Sequence, residues 1–147
     1  MAFVVSDAMV TIPKTHGPDV SLEEIRDLFD DDHVRMALIV DAAGRLLTTI
    51  ERQDLIAAAG LPSSTRIARL GTLVGRTVGP STLLSAATAT LLRARKRRLA
   101  VVDDRGRLVG LLCLKRDGTG FCSDEGVRRR AESHSHQQKL PAGFDAA

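Results

Sequence analysis

The chain says nearly the same thing twice, 62 residues apart. Thr15, Gly17 and Pro18 recur as Thr77, Gly79 and Pro80, and Gly44, Arg45 and Leu46 recur as Gly106, Arg107 and Leu108, so the displacement is the same from 15 to 77 and from 44 to 106. With no gap, Val40 and Asp41 fall on Val102 and Asp103, and Leu22, Ile25 and Phe29 fall on Leu84, Ala87 and Leu91. Such a register marks two supersecondary units that bury their apolar faces against each other. At 147 residues, 44% of them hydrophobic, the chain is long enough for one compact domain or for two half-sized units sharing a core.

Within each copy the hydrophobic period changes in the same order. In "PDVSLEEIRDLF" apolar residues at Leu22, Ile25, Leu28 and Phe29 have helical spacing, and Ser21 with Glu24 forms a capping box, so a helix starts near Asp19 to Ser21. "MALIV" reads as a strand, "DAAG" as a turn in which Gly44 takes positive φ, and "RLLTTI" as a second strand. "LIAAAG" then reads as a helix with Asp54 as N-cap and Gly60 just past its end. In the second copy "PSTLLSAATATLL" is helical and "LAVVDDRGRLVGLLCL" is a hairpin. The glycines of "KRDGTG" then delay the closing helix to Ser123. The organisation expected is a first unit at 1–60, a linker at 61–71, a second unit at 72–130 and a mobile tail at 131–147.

No apolar stretch approaches the roughly 20 residues needed to cross a bilayer, and "MAFVVSDAMV" lacks a basic leader, so a soluble cytoplasmic protein with no membrane partner is expected. Cys113 and Cys122 belong to no ligand-spaced cluster and are expected as reduced thiols. The net charge of +3 is unevenly spread, with acids early ("EEIRDLFDDD") and bases late ("RARKRR", "VRRRAE"). That balance suits phosphate-bearing partners, nucleotide or nucleic acid, without choosing between them. With no Trp or Tyr and four Phe, the aromatic platforms for single-stranded bases are mostly missing. His16 and His33 lack an acid or nucleophile at a telling spacing, and His134 with His136 is a weak metal pair. Phe121 reads either as a core plug or as a stacking face for a purine. Nothing in the sequence supports an enzyme.

The ordered set "SDAMV", "PDVSL", "LIVD", "GRLL" and "RQDL", with its second rendering in "PSTLL", "AVVD" and "GRLVG", resembles the CBS domain, and the two copies cover about four fifths of the chain. The resemblance implies an α/β fold in which two β-α-β-β-α units pack as a pseudo-twofold pair, a Bateman module, which associates into a homodimer. It also implies a regulatory role: an adenosine-containing ligand such as AMP, ATP or S-adenosylmethionine binds between the units and the signal passes to a partner. Catalysis and a required cofactor are not implied. The length leaves no room for an attached enzyme, so the effector is expected to be a separate protein.

By match to the family's contact positions, the first copy offers Val10, Lys14, Arg35, Met36, Glu51 and Asp54, and the second offers Thr72, Arg76, Arg97, Arg98, Cys113 and Arg116. Asp54 suits the hydroxyls of a ribose, a role compatible with capping a helix. Glu51 stands where a hydroxyl is expected and would repel a phosphate unless a cation intervenes. In the second copy Cys113 replaces that hydroxyl and Arg116 replaces the carboxylate. Arg76, Arg97, Arg98 and Arg116 form either an anion pocket suited to polyphosphate or a set of solvated and interface charges. The bases from Arg93 to Lys96 also complement a helix dipole. The clefts are therefore expected to be unequal. Two roles follow: a ligand-sensing module, or a ligand-free dimeric platform for a protein or, through its arginines, for nucleic acid.

Overall fold

The computed structural model describes residues 2–124 and Gly126. The first copy contains α1 (Leu22–Leu28), β1 (Ala37–Val40), β2 (Leu46–Ile50) and α2 (Arg52–Ala57). The second contains β3 (Thr77–Val78), α3 (Leu84–Ala94), β4 (Arg98–Val102) and β5 (Leu108–Cys113).

The repeat in sequence is a repeat in hydrogen bonding. The Asp41 Oδ1 accepts from the backbone N–H groups of Ala43 and Arg45, both at 2.9 Å, and the Asp103 Oδ1 accepts from those of Arg105 and Arg107 at 2.9 Å. Gly44 and Gly106 take φ of 82° and 77°, a conformation that only glycine adopts without strain. These two turns join β1 to β2 and β4 to β5 as antiparallel hairpins, with a shift in register after Ile39 and after Val101. His16 bridges Ile39 in parallel, as Val78 pairs with Val101 in the second sheet.

The turns meet. Leu46 N–H donates to the Gly106 carbonyl and Leu108 N–H donates to that of Gly44, both at 2.9 Å, so the pseudo-twofold axis passes between them. Behind the turns, alternation along the strands sorts side chains to two faces. Ala37 and Ile39 join Leu22, Ile25 and Phe29 in one core, and Leu99 and Val101 join Ala87 and Leu91 in another. Met36, Leu38, Leu46 and Ala100 form a third cluster between the sheets. Burial on both faces is why "MALIV" and "LAVV" are unbroken apolar runs.

The units also exchange their entry segments. Val10 bridges Leu111 of β5, and Thr72 bridges Thr49 of β2. Val5 is buried in the second core, while Ile67 from the expected linker is buried in the first. Residues 61–71 thus close the first unit's core, because Ile67 supplies apolar surface that α1 and the first hairpin leave uncovered.

Two local expectations change. The first hairpin leads directly into α2, which starts at Arg52, so Asp54 lies inside its first turn and is not the N-cap; its carboxylate reaches back to accept from Glu51 N–H at 2.8 Å. Cys113 and Cys122, expected as thiols, are paired in a disulfide. The turn from Lys115 to Gly120 folds the chain back and the Leu114–Phe121 bridge aligns the flanks, which brings the two Cα atoms to 5.3 Å. Phe121 packs against the second core. The Ser123 hydroxyl accepts from Gly126 N–H at 3.0 Å, as a cap would; the rest of the segment expected to form the closing helix, the 131–147 tail, His134 and His136 lie outside the described residues.

Candidate functional site

At the end of β1 and β4 opposite the two turns, a cavity of about 200 Å³ lies between the copies, lined by Arg35, Glu51, Arg52, Gln53, Arg95, Lys96, Arg97 and Arg98. Arg35 immediately precedes the strand-leading Met36, and Arg97 is its mate in the repeat, so the cavity spans the pseudo-twofold axis. Its walls are nonetheless unequal, since α2 contributes Glu51 to Gln53 from the first copy only. The other wall comes from the end of α3. Arg95 takes the left-handed conformation with φ 54°, and Lys96 N–H donates to the Leu91 carbonyl at 2.9 Å, turning residues 95–98 back across the helix end.

A polar cluster crosses between the copies beside the cavity. Arg76 Nη1 and Nη2 donate to Asp54 Oδ2 and Oδ1 at 2.7 and 3.2 Å, Nη1 also donates to the Thr49 carbonyl at 3.1 Å, and Nε lies 3.3 Å from Glu51 Oε2. Lys96 Nζ is 3.5 Å from the same Glu51 oxygen. The Arg76 side chain is 3% exposed and both carboxylates are 15% exposed. Burial alone would lower the Arg76 pKa, but the hydrogen bond with Asp54 and the charges of Glu51 and Asp54 outweigh it and hold it above the ordinary arginine value.

Arg35 and Arg97 have the opposite surroundings. The Arg35 Nε is buried and without a hydrogen-bond partner among the described residues. The Arg97 pKa is lowered, first by burial and then by the charges of Arg35 and Arg116. Arg52 is structurally committed: its Nη2 donates to the carbonyls of Asp31 and Val34 at 3.1 and 3.4 Å, and its guanidinium stacks 5.3 Å over Phe29.

The structure therefore gathers Arg35, Glu51, Arg97 and Arg98 on one cavity and ties Asp54 to Arg76. Of the two readings of Arg76, anion-pocket donor or interface charge, it favours the second, because two carboxylates and a carbonyl already use its donors. Thr72 lies one strand away, its carbonyl accepting from the Thr49 hydroxyl at 2.6 Å. Val10, Met36 and Cys113 are buried by packing or by the disulfide, and Lys14 and Arg116 are exposed. In the sequence Arg95 and Lys96 count as helix-dipole charges; the signal for their second role is that they immediately precede Arg97, the mate of Arg35. Among the described residues no group of three or more His, Cys, Asp or Glu side chains could hold a metal ion, and no helix is long and apolar enough to cross a membrane.

A family model for the CBS domain matches residues 74–116. The chain is 29% identical over 107 residues to an inosine-5′-monophosphate dehydrogenase of Nitrosopumilus maritimus; the match covers 73% of this chain and spans 22% of that enzyme. Among solved structures it resembles AcuB of Vibrio cholerae (TM-score 0.67, 23% identity, covering 96% of this chain and 100% of that one). It also resembles CBSX2 in complex with AMP (0.65, 24%, 90% and 98%). A third is the CBS domain pair of protein MJ0100 in complex with 5′-methylthioadenosine and S-adenosyl-L-methionine (0.63, 19%, 91% and 99%).

Proposed function

We propose that this chain, whose residues 74–116 match the CBS domain model and whose fold resembles that of CBS domain pairs, is a regulatory module: it binds an adenosine-containing ligand between its two copies and modulates a partner protein, as a homodimer. The observation that carries this reading is the cavity between the copies, built from both and lined by six cationic side chains against one carboxylate. Such a site attracts a phosphate-bearing ligand. Two of the similar structures hold AMP or S-adenosylmethionine, which supports the adenosine class. The first functional unit is taken as residues 1–60 and the second as 72–130, each completed by the entry segment of the other.

A ligand present at about 100 times its dissociation constant adds about 2.7 kcal/mol to stability, equivalent to a rise in melting temperature of roughly 5–11 °C for a domain of this size. A thermal-shift series with AMP, ADP, ATP, NAD, S-adenosylmethionine and cyclic dinucleotides, with and without magnesium, reads it directly. A shift with any adenosine-containing ligand supports the proposal; no shift with all of them removes it. A second reading, a ligand-free interaction platform, is favoured by one observation: Asp54, the expected ribose acceptor, is already held by Arg76.

A further inference from the structure

We propose that Cys113–Cys122 is an exchangeable disulfide: an external dithiol reduces it, and its state sets how firmly residues 121–124 hold the entry segment of the first copy at Thr11. Cys113 ends β5 directly opposite Arg98 at the head of β4, so the two side chains share one face of the hairpin. It is the face of Ala100 and Leu111, which packs between the sheets. Leu114 N–H donates to the Arg97 carbonyl at 2.8 Å, and the charge of Arg116 reaches Arg97. Three arginines thus crowd the end of β5, and cations beside a cysteine favour its thiolate. Cys113 is 3% exposed, whereas Cys122 is only half-buried and open to a reductant.

The exchange follows from that asymmetry. A thiolate of the external dithiol attacks the Cys122 Sγ, the bond between the two sulfurs breaks, and Cys113 leaves as the thiolate beside the arginines. The second thiol of the reductant then attacks the mixed disulfide, closes its own disulfide and releases Cys122. The protein gains two electrons and two protons, and the dithiol loses both. The turn keeps the reduced pair in reach of each other for the reverse reaction, since Asp117 Oδ1 accepts from the Thr119 N–H and hydroxyl at 3.0 and 2.7 Å and Lys115 N–H donates to the Gly120 carbonyl at 2.8 Å.

What the disulfide secures lies next to it. Two residues past Cys122, the Asp124 carboxylate accepts from the Thr11 N–H and hydroxyl at 2.7 and 2.9 Å, and Val10 exchanges both backbone hydrogen bonds with Leu111 at 2.8 and 2.9 Å. The disulfide therefore ties β5, the 121–124 flank and the entry segment into one unit. Reduction removes the covalent tie and leaves the flank dependent on a short pairing, the Leu114–Phe121 bridge and the Cys122 N–H bond to the Cys113 carbonyl, of the kind that opens locally. Arg98, opposite Cys113, also lines the cavity, so the redox state acts on that site as well; this last link rests on the reading of the cavity as a ligand site, and the exchange itself does not.

Thiol trapping and amide-resolved NMR of the full chain test this, with dithiothreitol as the dithiol and its oxidised form as the reverse reagent. In native buffer dithiothreitol should convert the pair in one step to two maleimide-reactive thiols per chain, and oxidised dithiothreitol should restore the disulfide. On reduction the Thr11 amide, released from the Asp124 carboxylate, should shift upfield, with changes at Arg98 and Cys122, while the Leu46 and Leu108 amides at the two turns stay in place. Cys122→Ser should show the same Thr11 shift, and Asp124→Ala should show it with the disulfide intact. ATP, used as the probe of the cavity, should bind the two redox forms with affinities differing by about fivefold or more. Thiols that appear only in denaturant, or a Thr11 amide unmoved by reduction, overturn the proposal. Cysteines trapped independently of each other, or cross-links between chains in place of the internal pair, overturn it too. Equal ATP affinity in both forms overturns the link to the cavity, and no binding of ATP, AMP or S-adenosylmethionine to either form counts against the regulatory reading and leaves the exchange standing.

Discussion

Replacing Arg76 by methionine should be among the most damaging single changes in this chain, and it should be repairable. The guanidinium makes contacts at 2.7 and 3.2 Å with Asp54, at 3.3 Å with Glu51 and at 3.1 Å with the Thr49 carbonyl, at 3% exposure. Without it, two carboxylates of 15% exposure share one space, with Lys96 at 3.5 Å from Glu51 as the nearest remaining cation. Breaking one side of a buried ion pair costs about 3–5 kcal/mol, whereas removing both sides together is often close to neutral. Arg76→Met should therefore lose about 3–5 kcal/mol at pH 7, and Arg76→Met combined with Asp54→Asn and Glu51→Gln should lose under about 1.5 kcal/mol. Urea denaturation with an unchanged m-value reads both. A single variant within about 1 kcal/mol of the wild type, or a triple variant as unstable as the single, would refute the reasoning.

Other perturbations follow from the same geometry. A Cβ on Gly71 would overlap the Thr49 carbonyl and crowd the Thr48 hydroxyl and Ile50, so Gly71→Ala should destabilise by at least about 3 kcal/mol in chemical denaturation, more than Gly17→Ala, where the space is open. His16 has its pKa lowered by burial and by Lys14, against a smaller opposing effect of Glu24. Its folded pKa thus lies below the unfolded value of about 6.5, so its contribution is present above that pH and is lost as pH falls through the depressed folded value. His16→Gln should flatten the pH dependence of stability in that acid window. Arg95→Gly relieves a left-handed residue and should raise stability by about 0.5–1 kcal/mol. The disulfide closes a short loop, so reduction or Cys122→Ser should lower stability by about 2–3 kcal/mol.

The fold was legible where sequence and local geometry coincide. Gly44 and Gly106 had to end turns that demand positive φ, Ser21 had to cap α1, and the two-sided apolar strands had to lie inside a sheet packed on both faces. What escaped the sequence depended on contacts between the copies. Nothing along the chain shows that Arg76 faces Asp54 and Glu51, since the contact arises only when the second unit docks on the first. The exchange of Val5 and Ile67 between cores was hidden for the same reason, because each lies in a segment with no strong period. The Cys113–Cys122 pairing depends on how the glycine-containing turn folds back. The basic run "RARKRR" looked like a solvated helix end; the left-handed turn at Arg95 folds it against Arg35.

The most direct test is an amide-resolved NMR titration of the full chain with ATP. The account predicts saturable shifts at Arg35, at Glu51 to Asp54 and at Lys96 to Arg98, residues of both copies moving together along one binding curve. Shifts confined to other basic segments, such as Arg105 and Arg107 at the second turn, or no shifts at all, would contradict it.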